Sequence, residues 1–450
     1  MSLGACRLKR RILVVIVNLC AGVSLVSCGA YNGKGPPSRL PNRVLASQGV
    51  TATITFGGLV IVNGQLDIVA PVAPLSGGSS PGLMAISPTR NIVAAFDAGS
   101  NSVFAVDTTK ESSLGHVQLP GPTASMVVPT ASPTGYAAVA TASIDGYSFV
   151  GAVEAMNLSA GSIMTTIAVT SAQTVVSNST GTQLLVFSND SDSVTVLSPV
   201  VAVPPVDTSC FTNPPNAVCT IVPGFSRPVY AIISGSTAYI LNCGLQCGGS
   251  QPASVAVFDL GNLTITKTIP VEAATWALLS GSTLYVAGTP TTNNDCQGQM
   301  WGTPPQATAA AICGRLDIID LSSGTVTGGI KITDGYHDRM DMSSNGQLFI
   351  GSHDCTNIGN INNPSGEVRG CLSILNTTTG QLIIPPDNGN VDGLQSFTTR
   401  FIEYVAEGGN LRVYDTTKDI LYINTYNNYL PTGTIPIVGY VGDVKAIDFF

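Results

Sequence analysis

Two short segments of this chain concentrate the side chains that can do chemistry. Asp334-Gly-Tyr-His-Asp-Arg-Met-Asp341 and Gly351-Ser-His-Asp-Cys355 hold two of the three histidines, each with an aspartate beside it. Two imidazoles and two carboxylates can ligate a divalent metal or serve as general acid and base. The same residues also make a plain hydrogen-bonded network once Arg339 pairs with a carboxylate. The candidates are His337, Asp338, Arg339, His353 and Asp354. The expectation is a binding or structural cluster without a cofactor, a divalent metal being the alternative.

Other signals are weaker. Asn189-Asp-Ser-Asp-Ser193 offers oxygen ligands but lacks the rest of a calcium loop and sits where a hairpin turn belongs. Ser-Gly-Ser at 234–236 and again at 280–282 reads as a hairpin turn, with no helix following to hold a phosphate. Trp276 and Trp301 suit packing between sheets or a binding face. No CxxCH, P-loop or HExxH is present.

The elements that must position these residues are short strands. Residues 81–119 read as four apolar runs of about five residues separated by turn formers, which is one antiparallel meander. Runs of the Leu83 type recur at 124–129, 173–177, 229–234, 275–280, 339–345, 394–400 and 444–450. Second strands recur eight times, from 43–47 to 401–406. Third strands end in Asp or Asn, as in Val-Phe-Ala-Val-Asp107, Val-Ala-Val-Phe-Asp259, Leu-Asp-Ile-Ile-Asp320, Leu-Ser-Ile-Leu-Asn376 and Leu-Arg-Val-Tyr-Asp415. Those terminal side chains suit capping of the backbone two residues on, so they are structural acids first.

With 44% hydrophobic residues, 10% charged residues, 48 glycines and 28 prolines, the composition is all-β and turn-rich. A period of about 50 residues, each one sheet, predicts a single β-propeller of eight four-stranded blades, with seven as the fallback. The chain starts on a second strand near Arg43 and ends on an inner strand, so the two ends are expected to share one blade and close the ring. Residues 420–442 are where the count is hardest to read.

At this level the segment 86–109 resembles the YVTN β-propeller repeat of bacterial and archaeal surface proteins. That repeat runs Ser-Pro-Asp-Gly, Tyr-Val-x-Asn, Asn-x-Val-x-Val-Ile-Asp and a Thr-Gly turn. The second strands depart from Tyr-Val-x-Asn, with Val93-Ala-Ala-Phe-Asp97 in one copy and Leu284-Tyr-Val-Ala-Gly288 in another. The resemblance implies a fold more than a function, since the repeat serves adhesins, scaffolds and enzyme subunits alike.

The N-terminus places Arg7, Lys9, Arg10 and Arg11 before an apolar run that closes with Leu25-Val-Ser-Cys28. It resembles a bacterial lipoprotein signal with its lipobox. The resemblance implies cleavage after residue 27, lipidation of Cys28 and, with Gly29 rather than Asp next, sorting to the outer membrane. Residues 28–42 then form a tether and residues 43–450 the propeller. Removing the signal leaves 15 basic against 27 acidic residues, a charge of −12, which speaks against nucleic acid.

Eight further cysteines fall into four neighbouring pairs: Cys210 with Cys219, Cys243 with Cys247, Cys296 with Cys313, and Cys355 with Cys371. In an exported chain such pairs favour disulfides over metal sites. Three of them lie in enlarged second-to-third connections, at 241–254, 288–315 and 352–370, which are expected to build a wall on one face.

The function expected is non-catalytic: a monomeric, membrane-anchored scaffold presenting these loops to an envelope protein or glycan. The alternative is a metal-dependent, lactonase-like hydrolase or a propeller holding a redox cofactor. The scarcity of histidine argues against the redox version.

Overall fold

The computed structural model describes residues 36–144, 150–198, 205–212, 214–296, 300–301, 306–307, 312–356, 358–359, 368–385, 389–418, 420–421 and 433–449. The expected signal peptide and the lipidation position Cys28 lie outside these residues.

Strands Arg43–Gln48 and Gly58–Asn63 are fully buried around apolar centres, and Ile92–Asp97 in the next unit is buried likewise. The described strands assemble into eight antiparallel blades in a ring. Blade 2 is the simplest: Pro81–Ile86, Ile92–Asp97, Ser102–Asp107 and Ser112–Gln118, in spatial order. Blades 3 to 8 begin at inner strands Ser125–Val127, Ala172–Ser177, Pro228–Ser234, Trp276–Ser280, Tyr336–Met342 and Val391–Phe397. Blade 1 takes Val444–Ala446 as its inner strand beside Arg43–Gln48, with Val44 opposite Ala446, so the chain ends do share a blade.

The segment that was hardest to count belongs to blade 8. Ile420–Leu421 and Thr434–Ile435 both pair with Asn410–Asp415, so the outer-strand position is filled in two pieces. Blade 3 gains a fifth strand, Val206–Asp207, which runs parallel to Ser162–Ala168. It is supplied by the long third-to-fourth connection of blade 4.

A ring needs as many inter-blade cores as blades, and all eight junctions have one. Leu45, Ile61, Val93 and Val106 join blades 1 and 2; Phe187, Phe225, Ala238 and Phe258 join blades 4 and 5. Ile402, Tyr404, Val44 and Val444 join blade 8 to blade 1 and close the circle. Full burial of such a side chain stabilises by roughly 1.5–3 kcal/mol.

The turn acids behave as their position implies. Asp107 Oδ1 accepts from the amides of Thr109 (2.9 Å) and Lys110 (3.1 Å), and Asp259 Oδ1 from those of Gly261 (2.7 Å) and Asn262 (3.1 Å). Asp320, Asn376 and Asp415 repeat the motif.

All four neighbouring cysteine pairs are disulfides, with Cα separations of 5.4, 5.6, 5.0 and 5.5 Å. Four disulfides fit a protein exported to an oxidising compartment. Among the described residues no helix is long and apolar enough to cross a membrane.

Candidate functional site

A single extra residue near the start of several inner strands decides what faces the channel. In blade 7, His337 pairs with Ser352 and Arg339 with Gly351, which leaves Asp338 as a bulge. In blade 8, Val391 pairs with Glu407 and Gly393 with Ala406, leaving Asp392 in the same position. Val229 in blade 5 and Gln173 in blade 4 are bulged likewise. A bulge re-aims the side chain it carries. Gly335, with φ +94°, leads into blade 7; a Cβ there would come within 2.3 Å of His353 O, so the approach needs glycine.

The two bulged aspartates converge on one imidazole. His353 Nε2 stands 3.4 Å from Asp338 Oδ1 and 3.6 Å from Asp392 Oδ1. Neither His353 Nε2 nor the buried Asp338 Oδ1 has a hydrogen-bond partner of ordinary geometry. Arg339 Nη1 lies 3.2 Å from Asp338 Oδ2, while its Nε donates to the Asp392 carbonyl at 2.8 Å. Tyr440 OH donates to Asp392 Oδ2 at 2.7 Å. Burial pushes both carboxyls up, partly offset for Asp338 by Arg339 and for Asp392 by the Tyr440 hydroxyl. Burial thus works against the ionised form of both carboxyls while these partners support it.

Three of the five residues expected together, Asp338, Arg339 and His353, meet here; His337 and Asp354 do not. His337 is fully buried on the blade 6 side, where a Cβ on Gly314 would lie 2.7 Å from its Cε1. Burial lowers its pKa to about 4, against a smaller upward pull from the Thr333 backbone. Asp354 is exposed at φ +52°, and its amide donates to Asn390 Oδ1 at 3.0 Å. Among the described residues no group of three His, Cys, Asp or Glu side chains is arranged to hold a metal ion.

Sequence reasoning missed Asp392 and Tyr440. The signal for Asp392 was its slot: Val391-Asp-Gly393 opens the inner strand of blade 8 just as His337-Asp-Arg339 opens that of blade 7. Tyr440 lies in the return to blade 1 and carries no such signal.

Register also aligns residues near the start of neighbouring inner strands. Tyr230 faces Leu241, Trp276 faces Ala287 and Arg339 faces Gly351, equivalent positions on blades 5, 6 and 7. The Tyr230 and Trp276 rings stack, their centroids 3.9 Å apart. These three residues and Asp338 border a cavity of about 460 Å³ in the channel, bounded by the inner strands of blades 2 to 7. Trp276 thus both packs between blades and lines a pocket. The Trp301 side chain lies outside the described residues.

Successive connections of an antiparallel meander alternate between its two ends, so second-to-third and blade-to-blade connections share one face. On that face stand three disulfide-tied insertions, on blades 5, 6 and 7. Their roots are linked in series. Thr289 N donates to Gln246 Oε1 (3.1 Å), Thr289 Oγ1 to the Gly335 carbonyl (2.8 Å), and Thr356 Oγ1 to Asp334 Oδ2 (2.6 Å). The Cys210–Cys219 loop joins third to fourth strands and so lies on the other face. The Asn189–Ser193 segment is a hairpin turn, with Asp192 Oδ1 accepting from Arg227 N at 3.0 Å.

No protein-family model matches the sequence. No curated protein matches it either. Among solved structures, the chain is similar to a dihydro-heme d1 dehydrogenase, NirN, in complex with DHE. The TM-score is 0.57 at 12% identity, over 91% of this chain and 75% of that one. A putative 6-phosphogluconolactonase from Bacteroides fragilis gives 0.47 at 10% identity, over 92% and 99% of the two chains. The periplasmic gluconolactonase PpgL of Pseudomonas aeruginosa gives 0.43 at 14% identity, over 90% and 98%. At these identities the first likeness speaks to the propeller fold, and function must be argued from the site.

Proposed function

We propose that this protein is a lipid-anchored β-propeller of the bacterial outer membrane, related to the YVTN-repeat proteins, that acts as a non-catalytic recognition scaffold. Cys28 carries the lipid, residues 28–42 are the tether, and the loops of blades 5 to 7 contact an envelope protein or glycan. One observation carries the reading. Three insertions on consecutive blades share a face, each is closed by its own disulfide, and their roots are hydrogen-bonded in series. Pre-ordering loops in this way lowers the entropy lost on binding.

The test is cross-linked affinity capture from native envelopes, comparing the intact chain with one whose 289–314 loop is cut to a short turn. The reading expects one partner, recovered by the intact chain and lost on trimming; equal recovery by both forms overturns it. Incorporation of labelled palmitate that is abolished by Cys28→Ala tests the anchor.

A second reading, hydrolysis, draws on Asp338, Asp392 and His353. Carboxyls that burial holds toward their protonated form suit a general acid. Lactone hydrolysis that disappears in Asp338→Asn would favour it.

A further inference from the structure

The channel cavity is chemically uneven. One wall is the stacked pair Tyr230 and Trp276, 19° from parallel and both half-buried. The polar lining away from blade 7 is neutral: Ser125, Gln173, Thr174, Ser177, Asn178 and Thr275. On blade 7 the Arg339 guanidinium is already engaged by Asp338 and by the Asp392 carbonyl. The Asp338 side chain, 22% exposed, borders the cavity here, its Oδ1 covered and facing His353 Nε2 at 3.4 Å.

These features discriminate among ligands. A charged molecule would stand uncompensated beside a charge pair that is already closed, and its desolvation would go unrepaid. A wholly apolar one would leave Asp338 and the hydroxyl and amide groups dry, which is also unfavourable. A ring with an apolar C–H face and several hydroxyls meets both demands. Its face lies on the aromatic pair, its hydroxyls reach the Ser, Thr, Gln and Asn side chains, and one hydroxyl donates to the exposed part of the Asp338 carboxylate. About 460 Å³ lies within the usual range for ligand pockets and has room for roughly one or two sugar rings.

We propose that the channel cavity is a binding site for a neutral carbohydrate of one or two rings, stacked on the Tyr230–Trp276 pair and hydrogen-bonded to Asp338. The pocket is distinct from the loop wall, so this proposal stands or falls independently of a partner bound there.

The experiment is fluorescence titration and saturation-transfer NMR on the exported chain carrying Trp301→Phe, which leaves Trp276 as the reporter. The neutral probes are glucose, galactose, maltose and cellobiose; the comparison probes are gluconate, glucosamine and 2-naphthol. The expected result is that at least one neutral sugar binds with a Kd of about 10 mM or tighter. Its affinity should fall at least tenfold in Asp338→Asn and, followed by NMR, in Trp276→Leu. Circular dichroism and melting temperature establish that each variant folds. Should Trp276→Leu fail to fold, Thr174→Met, which narrows the cavity from blade 4, carries the same expectation. The proposal is overturned if none of the four sugars binds. Tightest binding by a charged probe or by 2-naphthol overturns it too, as does wild-type affinity in the folded variants.

Discussion

Arg43 and Asp448, 405 residues apart, hold the two ends of the ring together through a two-pronged ion pair. Nη2 lies 2.6 Å from Oδ1 and Nε donates to Oδ2 at 2.9 Å. The third nitrogen, Nη1, reaches Glu111 Oε1 of blade 2 at 2.9 Å. The Arg43 and Glu111 side chains are only 7% and 1% exposed. Blade 1 is therefore tied both to its own C-terminal strand and to its neighbour.

Replacing Arg43 by Ala leaves Glu111 buried without its cation, which typically destabilises by roughly 3–5 kcal/mol. Urea denaturation should show a loss of that order, with earlier proteolysis of the C-terminal strand. Arg43→Ala combined with Glu111→Gln should lose less than Arg43→Ala alone, because no buried charge is then stranded.

Glu154 provides a pH-dependent test. Its Oε2 accepts from Thr166 Oγ1 at 2.7 Å and its Oε1 has no partner. Burial raises the carboxyl to about 7, with the Thr166 bond pulling the other way. The folded chain thus keeps a proton that the unfolded chain releases near the ordinary Glu value. This contribution is fully present below about 4.5 and is lost as pH rises towards 7. Glu154→Gln should raise stability at pH 8 by about 1–3 kcal/mol and leave it unchanged at pH 4, read from urea midpoints.

His337 titrates with the opposite sign. Held neutral by burial, with a pKa of about 4, it lets the unfolded chain bind a proton first. Its contribution is complete above about 6.5 and is lost as pH falls towards 4. His337→Leu should flatten the acid limb of the stability profile by up to about 3 kcal/mol. An acid limb identical to that of the wild type would show that the imidazole is not held neutral.

The Cys355–Cys371 disulfide closes a loop of sequence separation 16 on blade 7. Its removal by Cys355→Ser and Cys371→Ser should cost roughly 2–4 kcal/mol, because a loop of that length frees considerable chain entropy in the unfolded state. Peptide mapping without reduction should recover this pair and the other three nearest-neighbour pairs.

Much of the architecture was legible in the sequence because its causes are local. Alternating apolar runs, Asp or Asn at the ends of third strands, and turn formers between them yield one blade per period, wherever in the ring the blade stands. The shared closing blade followed from the order of strand types at the two ends. Pairing the cysteines by nearest neighbour was an assumption at the level of sequence, and the four disulfides follow it. The site was only half legible because its determinants are bulges. A one-residue slip in register turns a side chain to the other face, and the apolar alternation by itself does not mark where the slip falls. Hence His337 and Asp338, adjacent in sequence, part company, one into the packing between blades and the other to the channel. Asp392, half a hundred residues on, arrives beside His353 because its bulge repeats that of Asp338 one blade later. The Tyr230–Trp276 stack is likewise a product of ring closure: equal register on neighbouring blades places the two rings face to face, and only the assembled propeller sets that distance.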